Sequence, residues 1–581
     1  MSRRKRSDER NSVSRRQFVA ISSAAGLAGV AGCVGDSPGS IQEDDENGEP
    51  ADDEAEPEPD APADGSIHIT QQVEPAHDYD PIVSNDAYST RILNHFFDGL
   101  FEYGEGLDIH PKLAVGEPEV EDDGMRYIIE IVDDAEFHNG DPVTAEDVLH
   151  TFIAPVVEQT DNVTSFDMID VESSETIDDT TVQIDLLEPY APFGTMTIAT
   201  NVVNKDARLD AMGLTEDEWW EHDWVEEPLY ADSSYNTENP IGSGPFQYVD
   251  HTDGEFTDME RWDDYWDEPL PELQSVRWVA TEDDAARVSQ ILAGDTDFIK
   301  GVPPEDWDNI DDDPDVNLQN ELSISYFYLA YNTNEGPTAE ADVRRGIEHA
   351  FSATAFVEEI IGPAGANAVS PVPRALLEEW ELPADEYEDM ENEYDPEQAA
   401  ELIEPHIDDV WEPVLIAPPD DIRVQLVERV AARLDELSAH GVDIEPQVQR
   451  LDWTPFLESY ASGNEDDYAI YTLGWTGGPD PDAYMWPLFH EESAGVNQGH
   501  FYDPDTDFHA NLRAARESVD QDERRDFYDE TIREILEEKV HTPTYNLMNS
   551  IASLPEIEDL EVHPDSGITP RLVSDHHNVT R

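Results

Sequence analysis

A loop in the last quarter of the chain combines residue types that bind small molecules. Residues 468–484 read YAIYTLGWTGGPDPDAY: an apolar run predicts a strand, and Trp475, Asp480 and Asp482 follow it among glycines and prolines. Open α/β proteins bind their ligands at such strand ends, beside a cleft. The two aspartates can supply negative charge there. The indole of Trp475 can stack on a ligand or simply pack in a core.

Catalytic and metal-binding sets of residues are missing from the sequence. It has no Gly-x-Ser-x-Gly and no His-Glu-x-x-His, its single cysteine is Cys33, and no histidines have metal-ligand spacing. The pair His576 and His577 is more typical of a solvated surface. The sequence therefore favours a protein that binds a ligand, with no enzyme activity, no metal and no cofactor.

The composition indicates a folded protein that works in concentrated salt. The chain has 581 residues with 31 basic and 136 acidic side chains, a formal net charge of −105, and yet 38% hydrophobic residues and 12 tryptophans. That hydrophobic content excludes a wholly disordered chain, and the length allows two or more domains. Molar salt, where the Debye length is about 3 Å, screens such self-repulsion, as in extreme halophiles. The negative charge argues against nucleic acids and anionic surfaces as partners.

Residues 1–33 are predicted to form an export leader. Arg15 and Arg16 stand before an apolar run as in a twin-arginine signal, and that run is too short for a transmembrane helix. Val-Ala-Gly before Cys33 is similar to a lipobox, in which the cysteine thiol receives a lipid. We therefore expect twin-arginine export, followed by lipid anchoring at Cys33 on the extracytoplasmic face of the cell membrane.

A low-complexity segment separates this leader from the folded part. Residues 34–66 are dominated by Gly, Pro, Ala, Ser, Asp and Glu and contain no aromatic side chain, so they cannot bury enough surface to fold. They are predicted to form an extended acidic tether. The folded part begins near Ile67, and two sequons within it, at Asn162 and Asn578, leave N-glycosylation open.

Three local patterns predict the elements that must position the binding residues. Residues 127–148 indicate a strand, an Asn-Gly turn and a helix capped by Thr144, with Asp147 three residues later. Residues 86–103 indicate a single helix with an apolar face. Residues 414–448 indicate strand, helix and strand, which predicts a parallel βαβ unit.

Several phrases of the folded part resemble one protein family, in the family's order. FHNGDPVTAEDV at 137–148 resembles the signature of the peptide/nickel class, family 5, of the extracytoplasmic solute-binding proteins of ABC transporters. NPIGSGPF at 239–246, AGDTDF at 293–298 and YDPEQAAEL at 394–402 resemble further phrases of that family. The resemblance extends from Ile67 over the rest of the chain.

The resemblance implies a two-lobed α/β fold like the periplasmic binding proteins of type II, cluster C. A hinge and a ligand cleft are then expected between the lobes, which close over the ligand. Residues 67–322 are expected to form lobe I, with an extra subdomain at about 103–238. Residues 323–545 are expected to form lobe II, and residues 546–581 to return to lobe I.

The resemblance also assigns roles in the loop at 468–484. Peptide-binding members carry Gly-Trp-x-x-Asp, whose aspartate pairs with the α-ammonium of the peptide. Here Gly478 occupies the place of that aspartate. Asp480 or Asp482 can supply the charge instead after a small shift of the loop. With glycine at position 478, this chain has either lost amine recognition or binds its ligand in a pocket of altered specificity.

Two further positions concern the ligand. Asn332 lies in the phrase YFYLAYNT, which resembles a family strand, and together with Trp475 it is an expected ligand contact. Dipeptide-binding members carry an arginine after the strand that corresponds to 414–417, where it holds the ligand carboxylate. This chain has Ala417 and two prolines there. An oligopeptide is therefore expected rather than a dipeptide.

The function that the resemblance implies is capture of peptides outside the cell for an ABC importer. The receptor would deliver its ligand to a membrane permease, and extended peptide backbones suit main-chain hydrogen bonding at strand ends. The same fold can serve another solute, such as a nickel complex or an oligosaccharide. A secreted lipoprotein hydrolase and a passive envelope protein are alternatives from other classes. The first lacks a catalytic set, and the second lacks repeats.

Overall fold

The computed structural model describes residues 65–72, 76, 78–104, 106–407, 410–495, 501–504, 506–574 and 576–581. The predicted leader, with Arg15, Arg16 and Cys33, lies outside the described residues, as does the predicted tether through residue 64.

The strands of the described residues are numbered in chain order. They are β1 (Ser66–Gln71), β2 (Phe101–Tyr103), β3 (Ile109–Pro111), β4 (Glu119–Glu121), β5 (Arg126–Glu130), β6 (Glu175–Asp178), β7 (Thr181–Asp185), β8 (Phe246–Thr252), β9 (Phe256–Arg261), β10 (Ser275–Ala280), β11 (Phe298–Lys300), β12 (Asn317–Leu322), β13 (Ser325–Tyr331), β14 (Gly365–Asn367), β15 (Val410–Trp411), β16 (Val414–Ala417), β17 (Asp443–Ile444), β18 (Gln447–Arg450), β19 (Ile470–Thr476) and β20 (His541–Ser553).

The α-helices are numbered in the same way, and none of those described is long and apolar enough to cross a membrane. They are α1 (Ala87–Phe96), α2 (Ala145–Glu158), α3 (Lys205–Met212), α4 (Glu216–Glu221), α5 (Ser234–Thr237), α6 (Asp284–Ala293), α7 (Trp307–Asp311), α8 (Ala341–Ala350), α9 (Ala353–Phe356), α10 (Arg374–Glu379), α11 (Ala384–Glu388), α12 (Pro396–Ile403), α13 (Asp421–Asp435), α14 (Trp453–Ala461), α15 (Asp482–Phe489), α16 (Phe508–Glu517) and α17 (Gln521–Glu538).

Twelve strands form one continuous sheet. Ten follow each other in the order β18-β16-β19-β13-β20-β11-β1-β10-β9-β8, and β12 and β14 pair with β20 beside this path. β1 is parallel to both β10 and β11, so these three strands end at the same edge of the sheet. That edge is where open α/β sheets bind ligands.

The long strand β20 joins two halves of this sheet. Its residues 541–545 pair with β13, and its residues 548–553 pair with β12. We call the half with β1 and β8–β12 lobe I, and the half with β13, β14, β16, β18 and β19 lobe II. The segment around Phe193 and Ile198 shares the core of lobe I, and the segment around Leu512 and Tyr528 shares a core of lobe II, so these segments are counted with those lobes. The expected two-lobed α/β architecture is thus present, while the residue limits given for the lobes from the sequence stay a prediction.

Each lobe has its own hydrophobic core. In lobe I, α1 packs on the sheet through Phe96, which lies in one cluster with Ile69 and Trp278. In lobe II, alternate residues of β13 enter two different clusters, with Tyr328 on one face and Leu329 on the other. A strand covered on both faces needs a continuous apolar sequence, which explains why β13 lacks the alternation of a half-exposed strand.

The predicted strand-turn-helix unit at 127–148 is confirmed. β5 is followed by a turn in which Gly140 has a φ of +83°, a left-handed conformation that glycine adopts without strain. α2 then begins after Thr144, whose side chain accepts from the backbone of Asp147, while the Asp147 carboxylate accepts from the backbone of Thr144. This capping box satisfies two free donors of the first turn.

The prediction of one helix over residues 86–103 is wrong at its C-terminal end. α1 ends at Phe96, Phe97 is extended, and β2 follows. The backbone at Gly99 passes so close to the segment at 199–201 that a Cβ atom would lie 2.8 Å from the carbonyl oxygen of Ala199. Contact with a distant segment therefore overrides the apolar periodicity and turns the chain into a strand.

The predicted βαβ unit in lobe II is confirmed. β16 and β18 are parallel neighbours, and α13 connects them. The helix buries Leu426, Val427 and Val430 at helical spacing. An apolar stripe on one side of α13 therefore packs on the sheet, as the sequence indicates.

A buried ionic network anchors the loop before α1. The Arg208 guanidinium donates to Asp80 at 2.6 Å and to both oxygens of Glu158 at 2.5 and 2.7 Å, and all three side chains are fully buried. The Trp219 indole also donates to Glu158, at 2.6 Å. Pro81 and Ser84, which follow Asp80 closely in the chain, line a cavity between the two lobes, so this network holds part of that cavity's wall in place.

Removing the cation of this network should destabilise the protein strongly. Arg208→Leu leaves the carboxylates of Asp80 and Glu158 buried without a cation, and we expect a loss of about 3–5 kcal/mol in the free energy of unfolding. Arg450→Leu is the matched control because the Arg450 pair with Asp421 is half exposed, so a change below about 1 kcal/mol is expected. Urea unfolding of both variants in molar salt measures this difference. Equal losses would contradict it.

Candidate ligand-binding site

A cavity of about 460 Å³ lies between lobe I and lobe II. Lobe I supplies most of its wall, through the loop before α1, the end of α1 and residues 199–201. Lobe II contributes Thr476 and Gly477 at the end of β19, and residues 565–567 of the C-terminal segment complete the wall. Ligand cavities of proteins commonly enclose about 300–1,000 Å³, so this volume suits a small solute or a short peptide.

The end of β19 presents a strand edge beside the cavity. β13 pairs with β19 along residues 470–476, whereas β16 on the other side pairs with only Ile470 and Tyr471. Among the described strands, none pairs with residues 472–476 on that second side. Thr472 and Leu473 are fully buried and only Thr476 of this strand lines the cavity, so an extended ligand can add main-chain hydrogen bonds at the end of β19 alone, in the manner of strand addition.

Neutral hydrogen-bonding side chains dominate the polar part of the cavity wall. They suit a ligand with many donors and acceptors and little net charge, such as a peptide backbone. These residues are Ser84, Asn85, Thr90, Asn94, Asn162, Thr200, Asn201, Thr476 and Ser566.

The charged part of the wall is a compact network. Glu102 pairs with Arg571 and lies 3.9 Å from the ammonium of Lys112, which binds Asp267 at 2.6 Å. Asp98 accepts hydrogen bonds from the hydroxyl of Tyr265 at 3.1 Å and from the indole of Trp266 at 2.8 Å. Burial raises the pKa of the Asp98 carboxyl to about 6.

Comparison with known families agrees with this geometry. The family described as "Bacterial extracellular solute-binding proteins, family 5 Middle" matches residues 108–495, more than half of the chain. The chain belongs to this family. The expectation drawn from the sequence motifs is therefore confirmed, and the chain is a solute-binding protein with the two-lobed fold of family 5.

Individual relatives have low sequence identity to this chain, but their alignments cover most of its length. The oligopeptide-binding protein AppA of Bacillus subtilis (strain 168) is 22% identical over 499 residues, covering 84% of this chain and 87% of the relative. Heme-binding protein A of Haemophilus influenzae is 24% identical over 473 residues, covering 77% of this chain and 80% of the relative. The structure of AppA in complex with a nonapeptide has a TM-score of 0.66 and 22% identity, covering 87% of this chain and 97% of the other.

Asp480 contacts both lobes of this solute-binding protein. Its carboxylate is fully buried, accepts from Arg524 of lobe II at 2.7 Å, and accepts from the hydroxyl of Thr195 of lobe I at 2.6 Å. The backbone of Asp482 donates to it as well, at 2.8 Å. With these donors in place, Asp480 is occupied by the protein, and a ligand ammonium would have to displace Thr195.

Asp482 is buried beside the same contact. Burial raises its pKa to about 6, and the Arg516 guanidinium lies 3.8 Å away. Arg516 also lies over the ring of Tyr190 from lobe I, 4.8 Å from the ring centroid. Asp482 thus orients a cation that contacts the other lobe, and a ligand role for Asp480 or Asp482 stays a prediction.

Gly478 faces lobe I directly. A Cβ atom at this position would lie 2.6 Å from the sulfur of Met196. A side chain at Gly478, such as the aspartate of peptide-binding members, would therefore require Met196 to move. Only side-chain atoms of Met196 stand in the way, so a change of its rotamer would make room for a longer side chain at Gly478.

Trp475 and Asn332 lie away from the described cavity wall. The Trp475 indole is partly buried, packs against a lobe II core and donates to the carbonyl of Ala483 at 2.7 Å. Asn332 is fully buried and donates to the carbonyl of Tyr468 at 3.2 Å. Both positions use their polar atoms within lobe II, and their expected ligand contacts stay predictions.

The two sequons have different surroundings. Asn162 lines the cavity, so a glycan there would stand at the ligand site. The amide of Asn578 donates to the carbonyl of Leu270 at 2.8 Å. Glycosylation of either residue stays a prediction.

In the parts of the chain that the structure describes, no three His, Cys, Asp or Glu side chains are arranged to hold a metal ion.

The lobe I side of the site cannot be recognised from the sequence motifs. The helix predicted over residues 86–103 includes Asp98, and no motif points to Lys112 or Arg571 as residues of the site. One signal was available for Lys112, because lysine occurs only five times in this acidic chain. Asp98 gave no such signal, since its neighbours Tyr265 and Trp266 come from a segment more than 160 residues away.

The contact of Thr195 with Asp480 should stabilise the closed arrangement of the lobes. Thr195→Val removes the hydroxyl that donates across the cleft, and we expect solute affinity to fall about tenfold, since hydrogen bonds to charged groups contribute about 1.5–3 kcal/mol. Small-angle X-ray scattering should show a larger radius of gyration for the unliganded variant. Thr195→Ser keeps the hydroxyl and should behave like the parent protein. An unchanged radius and affinity in the valine variant would refute this role.

Proposed function

We propose that this solute-binding protein is the receptor of an ABC importer and that it captures oligopeptides outside the cell. The observation that carries the proposal is the end of β19, where Thr476 lines the cavity and no described strand pairs on the second side, so that its backbone can meet an extended ligand backbone. The neutral polar wall supports it, because it favours no particular ligand side chain. The oligopeptide-binding relative AppA makes peptides the first ligands to test.

Another solute class is the second candidate. Heme-binding protein A is a relative of similar identity and coverage, so membership of the family leaves the solute open. Nickel complexes and oligosaccharides are further solutes that the same receptor fold could bind. A hydrolase is disfavoured because the sequence holds none of the nucleophile or metal motifs that such an enzyme needs.

Mass spectrometry of the purified mature protein tests the solute. The protein is isolated in molar salt, denatured, and its released small molecules are identified. We expect a set of short peptides, and we expect synthetic pools of that length to raise the melting temperature. Release of a porphyrin, a sugar or a metal complex would support the receptor function but would show that the solute is not a peptide. If no molecule is released and no pool raises the melting temperature, the proposed receptor function is contradicted.

We also propose that the leader directs twin-arginine export and lipid anchoring. Cys33→Ser should move the protein from the membrane fraction to the medium, because the thiol that receives the lipid is gone. Arg15→Lys with Arg16→Lys should leave the protein inside the cell, since the export receptor reads the arginine pair. Fractionation and immunoblotting measure both results. A Cys33→Ser protein that stays in the membrane fraction would contradict the anchor.

A further inference from the structure

Two asparagine side chains in the cavity wall are joined by a hydrogen bond. The amide of Asn94, on α1, donates to the carbonyl of Gly567 in the C-terminal segment at 3.2 Å. The amide of Asn201 donates in turn to the side-chain oxygen of Asn94 at 2.9 Å. All three residues line the cavity between the lobes. This asparagine pair therefore connects three separate segments of the chain at the candidate ligand site.

The main chain sets the orientation of both side-chain amides. A carbonyl oxygen can only accept a hydrogen bond, so Asn94 turns its NH2 group towards Gly567. The Oδ1 atom of Asn94 is then the acceptor that remains, and Asn201 turns its own NH2 group towards it. The orientation of the Asn201 amide thus follows from a main-chain carbonyl, through Asn94.

The backbone of Asn201 is fixed as well. It forms an antiparallel β-bridge with Gly99. The next residue, Val202, donates its backbone N–H to the carbonyl of Asp98 at 2.9 Å. Both the position and the orientation of the Asn201 side chain are therefore set before a ligand arrives. A group that is ordered in advance loses less entropy when it binds a ligand.

Asn201 keeps hydrogen-bonding capacity that the protein does not use. Within the described residues its side chain makes one hydrogen bond, the one to Asn94, and its Oδ1 atom has no donor. The hydroxyls of Thr90 and Thr200 also belong to the cavity wall, but each donates to a carbonyl of its own segment at 2.8 Å. Asn201 thus offers the cavity an oriented acceptor.

We infer that the Oδ1 atom of Asn201 accepts a hydrogen bond from one main-chain N–H group of the ligand, and that Asn94 positions it. This rests on the proposed function and makes it more specific. Thr476, at the end of β19, lines the same cavity, so one ligand can contact Asn201 of lobe I and the main chain of lobe II. A contact with the ligand backbone tolerates different ligand side chains.

The alternative role of Asn201 is to tie residues 199–201 to α1. Its removal would then loosen the cavity wall and lower the affinity for every ligand by the same factor. A hydrogen bond to a ligand N–H group predicts a loss that depends on one atom of the ligand. The test therefore changes that atom and the residue, separately and together, as in a double-mutant cycle.

The probe is a pool of pentapeptides of mixed sequence, with four further pools that each carry an ester in place of one peptide bond. An ester keeps the carbonyl and replaces the N–H group by oxygen, so it removes one donor. Affinities for the full mature protein are measured in molar salt by calorimetry. We expect the parent protein to lose about tenfold in affinity at one ester position, and Asn201→Leu to show no loss at that position.

The other ester positions serve as internal references. An N–H group that binds the main chain at the end of β19 should show the same ester penalty in the parent protein and in Asn201→Leu. Asn201→Ala adds no apolar bulk to the wall and allows the same comparison if the leucine variant does not fold.

Two further variants test the positioning role. Asn94→Leu leaves Asn201 in place but removes the group that orients it, so the ester penalty at the same position should be smaller than in the parent protein. Asn309→Leu is the matched control, because Asn309 is an exposed asparagine of α7 outside the cavity wall. It should keep all four ester penalties unchanged. A full penalty in Asn94→Leu would overturn the positioning role.

The outcomes separate this inference from the proposed function. If all four ester penalties are the same in the parent protein and in the Asn201 variants, the contact with Asn201 is overturned and the peptide receptor stays intact. An equal loss of affinity for all pools in Asn201→Leu would likewise show a structural role alone. If no pool binds the parent protein, the peptide receptor itself fails, and the contact fails with it.

Discussion

The architecture depends on one strand that belongs to both lobes. β20 pairs with β13 in lobe II and with β11 and β12 in lobe I, so a single ladder of backbone hydrogen bonds holds the two halves together. β12 leads through two residues into β13, which gives a second connection at the same place. The lobes are therefore tied at one side, an arrangement that favours opening and closing of the cleft about this connection.

The ligand cavity follows from this arrangement. The loop before α1, the end of α1 and residues 199–201 of lobe I line the cavity, and the end of β19 of lobe II completes it. Because β16 stops short, the last residues of β19 keep one edge without a strand partner among those described. The cleft thus combines a backbone template from lobe II with a polar and charged wall from lobe I.

The extreme acidity of the chain makes its cations conspicuous. With 31 basic side chains against 136 acidic ones, most carboxylates have no cation available and must be solvated. The buried arginines Arg208 and Arg524 each serve carboxylates that are fully buried. Burial of an unpaired carboxylate costs several kcal/mol, so these cations are placed where solvent and salt cannot screen charge. Lys112 has the same role at the cavity.

Local sequence signals predicted the local structure well. The cap at Thr144, the turn at Gly140 and the strand-helix-strand unit of β16, α13 and β18 depend on residues close in sequence, and all were found. The helix over 86–103 failed because Gly99 contacts residues a hundred positions away. Likewise the loop at 468–484 was selected from its composition, but its closure by Thr195 and Met196 depends on lobe I. Contacts between distant segments do not change the hydrophobic periodicity of either segment, so the sequence pattern does not indicate them.

Hydrogen exchange of the mature protein, with and without the solute that it carries, tests the central claim most directly. If the solute bridges the lobes in this cavity, binding should slow exchange both in the loop before α1 and at residues 472–477, at the end of β19. Exchange in the βαβ unit of lobe II should stay unchanged. Protection confined to one lobe, or absent from the end of β19, would contradict binding between the lobes.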